Sequence, residues 1–306
     1  MRAVALVAAL AGLVALVLVA VMALPAAADG WRAAFLLLSA PSLGAVALLL
    51  VARVVGADWD AALLPMARAV PWMALLVVPV IVGQALFHWP AGHLHVWLSP
   101  PAFALRSAAA LLFWAWLARA LVRGMALPAG PLLAVHGLVV SVMGYDWLLG
   151  VAPAQPNSAA PMILAVMQIG GAASLACAAG WGSSAQRRDL AYLIVASALG
   201  LAYLLYMDFV IVWFGNLPAH VGWYAARQVA PAIVLPGLAL PIGLLAPMVL
   251  VAIGRSDRTR QIAGVCALVA LALVAVWFVA GPAGWLALLA AVATIVAVAG
   301  AREAVA

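Results

Sequence analysis

The sequence predicts an all-α, polytopic membrane protein. Apolar residues fill 70% of its 306 positions and charged residues only 7%, a balance that excludes a soluble globular domain. The apolar residues fall in runs long enough to cross roughly 30 Å of hydrocarbon as helices. The fourteen basic residues are all arginine, and they stand towards the ends of these runs. There they set orientation in a lipid bilayer, and nucleic-acid binding is not indicated.

Ten spans are expected, at roughly 3–24, 32–53, 71–88, 102–122, 131–149, 160–181, 190–214, 229–252, 261–280 and 284–301, within one integral membrane domain over residues 1–306. The first competes with a signal peptide, because Arg2 precedes it and Ala26-Ala27-Ala28 offers a cleavage site. Its apolar run exceeds a signal-peptide core, which favours retention. Between the second and third spans, residues 54–70 carry Asp58, Trp59, Asp60, Pro65 and Arg68, a candidate amphipathic turn at the surface.

The seventh span ends at Gly215-Asn216-Leu217-Pro218, where Gly and Asn tolerate positive φ and Pro removes a donor. Trp213 before this stop and Trp223-Tyr224 after it mark a membrane–water boundary, since indole combines an apolar body with one N–H to hydrate. Prolines 231, 236, 241 and 247 predict a kink in the eighth span.

Alternating sides along ten spans puts eleven arginines on the side of the N-terminus and three, Arg32, Arg106 and Arg227, on the other. That skew predicts both termini in the cytoplasm and supports an even number of spans. The opposite, exported side collects His88-Trp89, His93, His95, Trp97, His220 and Trp223.

A carboxylate at bilayer depth costs several kcal/mol unless it is paired, protonated or hydrated. Asp146 in the fifth span and Asp208 in the seventh are therefore the leading candidates for proton or quinol chemistry. By helical rise they lie about 22 and 27 Å from the cytoplasmic starts of their helices. Arg106 enters the fourth span by about one turn from the exported side, so either an Arg106–Asp146 or an Arg106–Asp208 pair is allowed. Such a pair either fixes helix registry or sits beside a proton-exchanging site. Trp213, Asn216, His220, Trp223 and His88 form a candidate exported rim.

Metal and covalent cofactor sites are not expected. Cys177 and Cys266 lack CxxC spacing and read as small core residues. His136 and His88 fall at opposite ends of their spans, which argues against bis-histidine haem ligation and makes His136 an interfacial histidine. His93 and His95 have alternate spacing but no acidic or cysteine companion. Gln84 and Gln168 are expected to make interhelical hydrogen bonds, with Ser174 and Gly170-Gly171 permitting close packing.

Several blocks, in order over residues 30–250, resemble one family. They are Gly30-Trp31-Arg32; Pro71 with Val78-Pro79; Leu86-Phe87-His88-Trp89; Trp97-Leu98-Ser99-Pro100-Pro101-Ala102-Phe103 leading to Arg106; and Tyr145-Asp146-Trp147-Leu148 with Pro153. The most specific is Trp213-Phe214-Gly215-Asn216-Leu217-Pro218, followed by Trp223-Tyr224 and Arg227. Together these resemble the second quinone-binding-type membrane subunit of bacterial alternative complex III, a quinol:cytochrome c oxidoreductase related to the polysulfide-reductase-type membrane anchors. The resemblance implies ten helices arranged as two four-helix bundles, spans 2–5 and 6–9, flanked by spans 1 and 10. It implies exported cytochrome and iron–sulfur subunits as partners, and quinone or quinol as ligand. The chain departs from the family pattern at Ala219-His220, where acids are common, and at Asp208, where an uncharged polar residue is expected.

The leading expectation is thus a respiratory subunit without a redox cofactor of its own, contributing to a quinol environment or a proton path. A secondary transporter would instead show paired broken helices and an internal repeat. An assembly or scaffold subunit of a terminal oxidase would use its buried charges only to lock helices.

Overall fold

The computed structural model describes residues 23–151, 157–216, 218–228 and 232–279, together with Val14, Val17, Ala20 and Val21. The expected tenth span, and nearly all of the first, lie outside these residues. The described residues are helical without strands, and eight of their stretches are long and apolar enough to cross a membrane.

Helix α1, Leu24–Val55, carries Pro25 in its first turn and stops at Gly56, whose φ of 73° is the left-handed conformation that favours glycine. It is the central element, buried along most of its length, because its surface is largely Ala, Ser, Gly and Leu. The short helix α2, Asp60–Ala67, turns Ala62, Leu63, Met66 and Ala67 inward, so the polar excursion between spans packs on the helices beside it. A 3-10 turn, Val70–Trp72, leads into α3, Met73–Phe87. Helix α4, Pro100–Val122, opens on two prolines whose fixed φ suits a first turn. Helix α5, Ala129–Met143, continues into a π-helical turn, Gly144–Leu148.

Helix α6, Ala160–Ala179, ends at Gly180 with φ 70°. Helix α7, Ser184–Phe214, starts from a capping box in which Ser183 accepts from the Gln186 backbone and Gln186 answers to Ser183. It stops where expected, with Asn216 at φ 44°. Helix α8, Pro218–Ala225, comes next. The proline-rich eighth span is α9, Val234–Leu240, a π-helical turn, Pro241–Leu245, and α10, Ala246–Ile253. The expected kink is therefore a widened turn opening on Pro241, while Pro231 falls outside the described residues. Helix α11, Asp257–Val279, completes the set.

Helices α3, α4 and α5 pack on α1, and α7 and α11 pack on α6, with α9 and α10 on α11. The two sets meet where α1 lies against α6 and α11. Backbones touch at that seam: a Cβ on Gly44 would sit 1.8 Å from the Gln168 carbonyl oxygen, and one on Gly171 would meet Ala40 and Pro41 at 3.3 Å. Small residues thus give the close approach that apolar solvent cannot drive.

At the end where α2, α7 and α11 begin, polar ties close the loops. Arg187 pairs with Asp257 at 2.5 Å and donates to the Gly180 carbonyl, Arg260 reaches the other Asp257 oxygen at 2.8 Å, and Gln186 donates to the Asp58 carbonyl. The opposite end holds the candidate site.

Candidate functional site

The π-helical turn closing α5 places Asp146 inward, with its side chain wholly buried. Gly144 begins this turn because α5 touches α6 there; a Cβ would lie 2.5 Å from Pro161 Cα. From α4, Arg106 donates Nε to Asp146 Oδ2 at 2.7 Å and Nη2 to Oδ1 at 3.1 Å, a bidentate fork. Trp97, before α4, donates Nε1 to Asp146 Oδ1 at 2.8 Å. The guanidinium also donates to the Trp97 carbonyl at 2.6 Å and lies 4.1 Å from the centre of the Trp97 ring. Three donors and a stacked cation thus hold one carboxylate at this end of the helices. Of the two pairings open to Arg106, this is the one made.

Arg32 corrects the expectation that arginines stand only towards span ends. Helix α1 begins at Leu24, eight residues before the expected start, so Arg32 lies about 12 Å along it. Its side chain is among the largest fully buried ones, at 1% exposure. Nη2 donates to Gln84 Oε1 at 2.8 Å, Gln84 Nε2 donates to the His88 carbonyl at 2.8 Å, and the His88 ring is 2.6 Å from Asp29. Arg32 Nη1 is buried without a hydrogen-bond partner among the described residues. The charges of both Asp29 and Asp146 act on this guanidinium. His88, expected on an exported rim, is thus one link in a polar chain running from Asp29 to Arg32.

Deeper among the same helices, Trp147 donates to Ser107 Oγ at 3.1 Å and meets Phe35 edge-on, while Trp114 donates Nε1 to His136 Nδ1 at 3.0 Å. His136 is buried, not interfacial: its accepting Nδ1 puts the proton of the neutral ring on Nε2. Gln84 makes its interhelical bond as expected. Gln168 does not; its carboxamide is buried and neither polar atom has a partner among the described residues.

Asp208 stands apart from Arg106 and Asp146, on α7 in the set that includes α6 and α11. It accepts from the Tyr224 hydroxyl on α8, and the charge of His220 acts on it. Burial pushes the Tyr224 hydroxyl above its ordinary range, and Asp208 adds to the shift. Trp223 packs edge-on against Trp277 at 5.1 Å and under Arg227, whose guanidinium carbon is 3.8 Å from the Trp223 ring centre. Arg227 donates to the Trp277 and Phe278 carbonyls in the last described turn of α11, and burial lowers its guanidinium to about 10. Trp213 stacks on Phe209 yet points outward, 65% exposed, and Asn216 is exposed at the turn.

Two contributors escape a reading of sequence alone: Asp29 and the buried role of Arg32. Pro25, a first-turn signal seven positions before the expected start, is the feature that locates them, because it moves the helix start outward. Among the described residues no group of three or more His, Cys, Asp or Glu side chains gathers as a metal site. No protein-family model matches the sequence, and no curated protein is significantly similar to it.

Proposed function

We propose that the chain is a multi-pass membrane subunit of a respiratory quinol-oxidising complex of the alternative complex III type, contributing to the quinol environment or a proton path without a redox cofactor of its own. The observation that carries this reading is Asp146: a fully buried carboxylate held by Arg106 and Trp97, beside the Asp29–His88–Gln84–Arg32 chain. Intramembrane ionisable groups wired towards one membrane face are what proton handling requires. The sequence blocks between Gly30 and Arg227 supply the choice of complex by resemblance.

On this reading the chain has ten spans in a bacterial inner membrane, with both termini cytoplasmic and two four-helix bundles flanked by spans 1 and 10. The packing of α3, α4 and α5 on α1, and of α7 and α11 on α6, supports that arrangement. Asp29, Arg106 and Asp146 then face the exported side, near cytochrome and iron–sulfur partners. Purification in mild detergent tests the reading. Co-purifying multihaem cytochrome and iron–sulfur chains are expected; isolation as a lone carrier that accumulates substrate overturns it.

A further inference from the structure

Four arginines gather where α1 and α4 end beside α2: Arg53 in the last turn of α1, Arg68 closing α2, Arg119 in the last turn of α4 and Arg123 closing it. Arg53 donates Nη1 to the Met125 carbonyl at 3.0 Å, two residues past Arg123, which ties the two helix ends together. The stretch that carries Arg68 also packs on α4, through α2 and through the Val70–Trp72 turn. All four arginines are exposed, and none is ion-paired among the described residues. The two acids of the same stretch stand elsewhere. Asp60 opens α2, about 12 Å along the helix from Arg68, and Asp58 is drawn towards α7 by the bond from Gln186 to its carbonyl. In the set built on α6, by contrast, Arg187 and Arg260 share Asp257. The set built on α1 therefore leaves uncompensated positive charge at this surface.

An apolar stripe runs from these cations into the span. On α4, Leu112, Trp116, Arg119 and Arg123 follow one another at helical spacing along one exposed face. Leu112 lies about 16 Å from Arg123 at helical rise, close to the roughly 15 Å of hydrocarbon in one leaflet. Helix α3, packed beside α4, adds Trp72 at its entry and Leu75 about one turn further in, and the Trp72 and Trp116 side chains are both 51% exposed. An indole suits the depth where acyl chains meet head groups. Cations alone would set only orientation. Guanidinium, indole and aliphatic side chain in that order match the phosphate, the glycerol ester and the acyl chain of one lipid. The planar fork of arginine pairs with phosphate oxygens, whereas a head group with its own ammonium brings a like charge to the cluster.

We propose that the joined ends of α1, α2 and α4 bind an anionic, amine-free phospholipid of the phosphatidylglycerol class. Its phosphate lies at Arg119 and Arg123, with Arg53 and Arg68 beside them, and its chains lie along Trp116, Leu112 and Leu75. The orientation proposed above places this lipid in the cytoplasmic leaflet. The site requires a membrane-spanning chain and takes nothing from the respiratory reading.

Native mass spectrometry of the purified full-length chain, given equal amounts of phosphatidylglycerol and phosphatidylcholine with the same acyl chains, reads the selection. Phosphatidylglycerol is expected to be retained in preference, and to be released as salt rises, because exposed charges are screened. Arg119→Gln and Arg123→Gln should each weaken its binding about fivefold. Arg258→Gln, the same loss of charge at an exposed residue of α11, should leave binding unchanged. Glycerol phosphate, which carries the anion without the chains, should not displace the lipid. Helical circular dichroism checks that each variant folds, and the salt titration of the natural chain depends on no variant. Equal retention of the two lipids, retention indifferent to salt, or equal weakening by Arg258→Gln overturns the proposal. So does displacement by millimolar glycerol phosphate, which would make the cluster a site for free phosphate esters. Because no partner chain takes part, failure here is distinct from failure to co-purify with cytochrome and iron–sulfur subunits.

Discussion

Gly150 and Arg32 share one volume: a Cβ on Gly150 would stand 3.0 Å from Arg32 Nη1 and 2.8 Å from Gln84 Oε1. The glycine is there because a guanidinium occupies the place of its side chain. Gly150→Ala should therefore push Arg32 off Gln84 and destabilise the protein by about 1–3 kcal/mol, the usual cost of overpacking. Thermal unfolding in detergent measures this. An unshifted midpoint would mean that Arg32 has room to move.

Arg106 and Asp146 should behave as a unit. Asp146→Asn leaves a mostly buried guanidinium without its counter-charge and is expected to cost about 3 kcal/mol. Combining it with Arg106→Leu removes the stranded cation, so the double variant should be more stable than the sum of the two single changes implies. A double-mutant cycle on unfolding free energies reads the coupling directly; strict additivity would show that the fork contributes nothing.

Asp208 invites a different change. An Asn there can still accept from Tyr224, so on the proposed function Asp208→Asn should preserve assembly while impairing proton-coupled quinol oxidation by the complex that reading assigns. The measurement is turnover against subunit content. Turnover equal to that of the natural protein leaves Asp208 only a structural part. Changes at Asp208 and at Asp146 should be independent of each other, since each acid has its own partners.

Trp114 and His136 supply a check on the interior. Trp114→Phe replaces a fully buried indole by a smaller phenyl ring and strips the donor from His136 Nδ1, so a cavity cost adds to the about 1–3 kcal/mol of the unsatisfied buried acceptor. A double-mutant cycle with His136→Leu, read on unfolding free energies, separates the lost bond from the lost indole.

Most of the helix plan was legible in the sequence because lipid leaves little choice: an apolar run of sufficient length must satisfy its own backbone, and a helix does so. Gly215-Asn216 ended α7 for the local reason the residues suggested, a left-handed Asn. What composition could not fix was depth within a run. Arg32 reads as a boundary residue when a span is drawn from the first unbroken apolar stretch, yet Pro25 starts the helix earlier and carries the arginine inside. His136 misled for a related reason, since proximity to a span end says nothing about which face a side chain takes, and a Trp114 donor on the neighbouring helix turned it inward. The choice of Arg106 partner also lay beyond spacing: Asp146 and Asp208 were both in reach along their own helices, and only the lateral arrangement of α4 beside α5 decided between them.

The widened turn at Gly144–Leu148 governs how this helix tolerates change in length. A π-helical turn accommodates one residue more than an α-helical path between the same two points, so the residues after it are rotated by about 100° relative to an uninterrupted helix. Removing a single residue here, such as Tyr145, lets the segment relax to regular winding between the same two ends, so this turn is a place where the loss of one residue need not carry all later residues to another face of the helix.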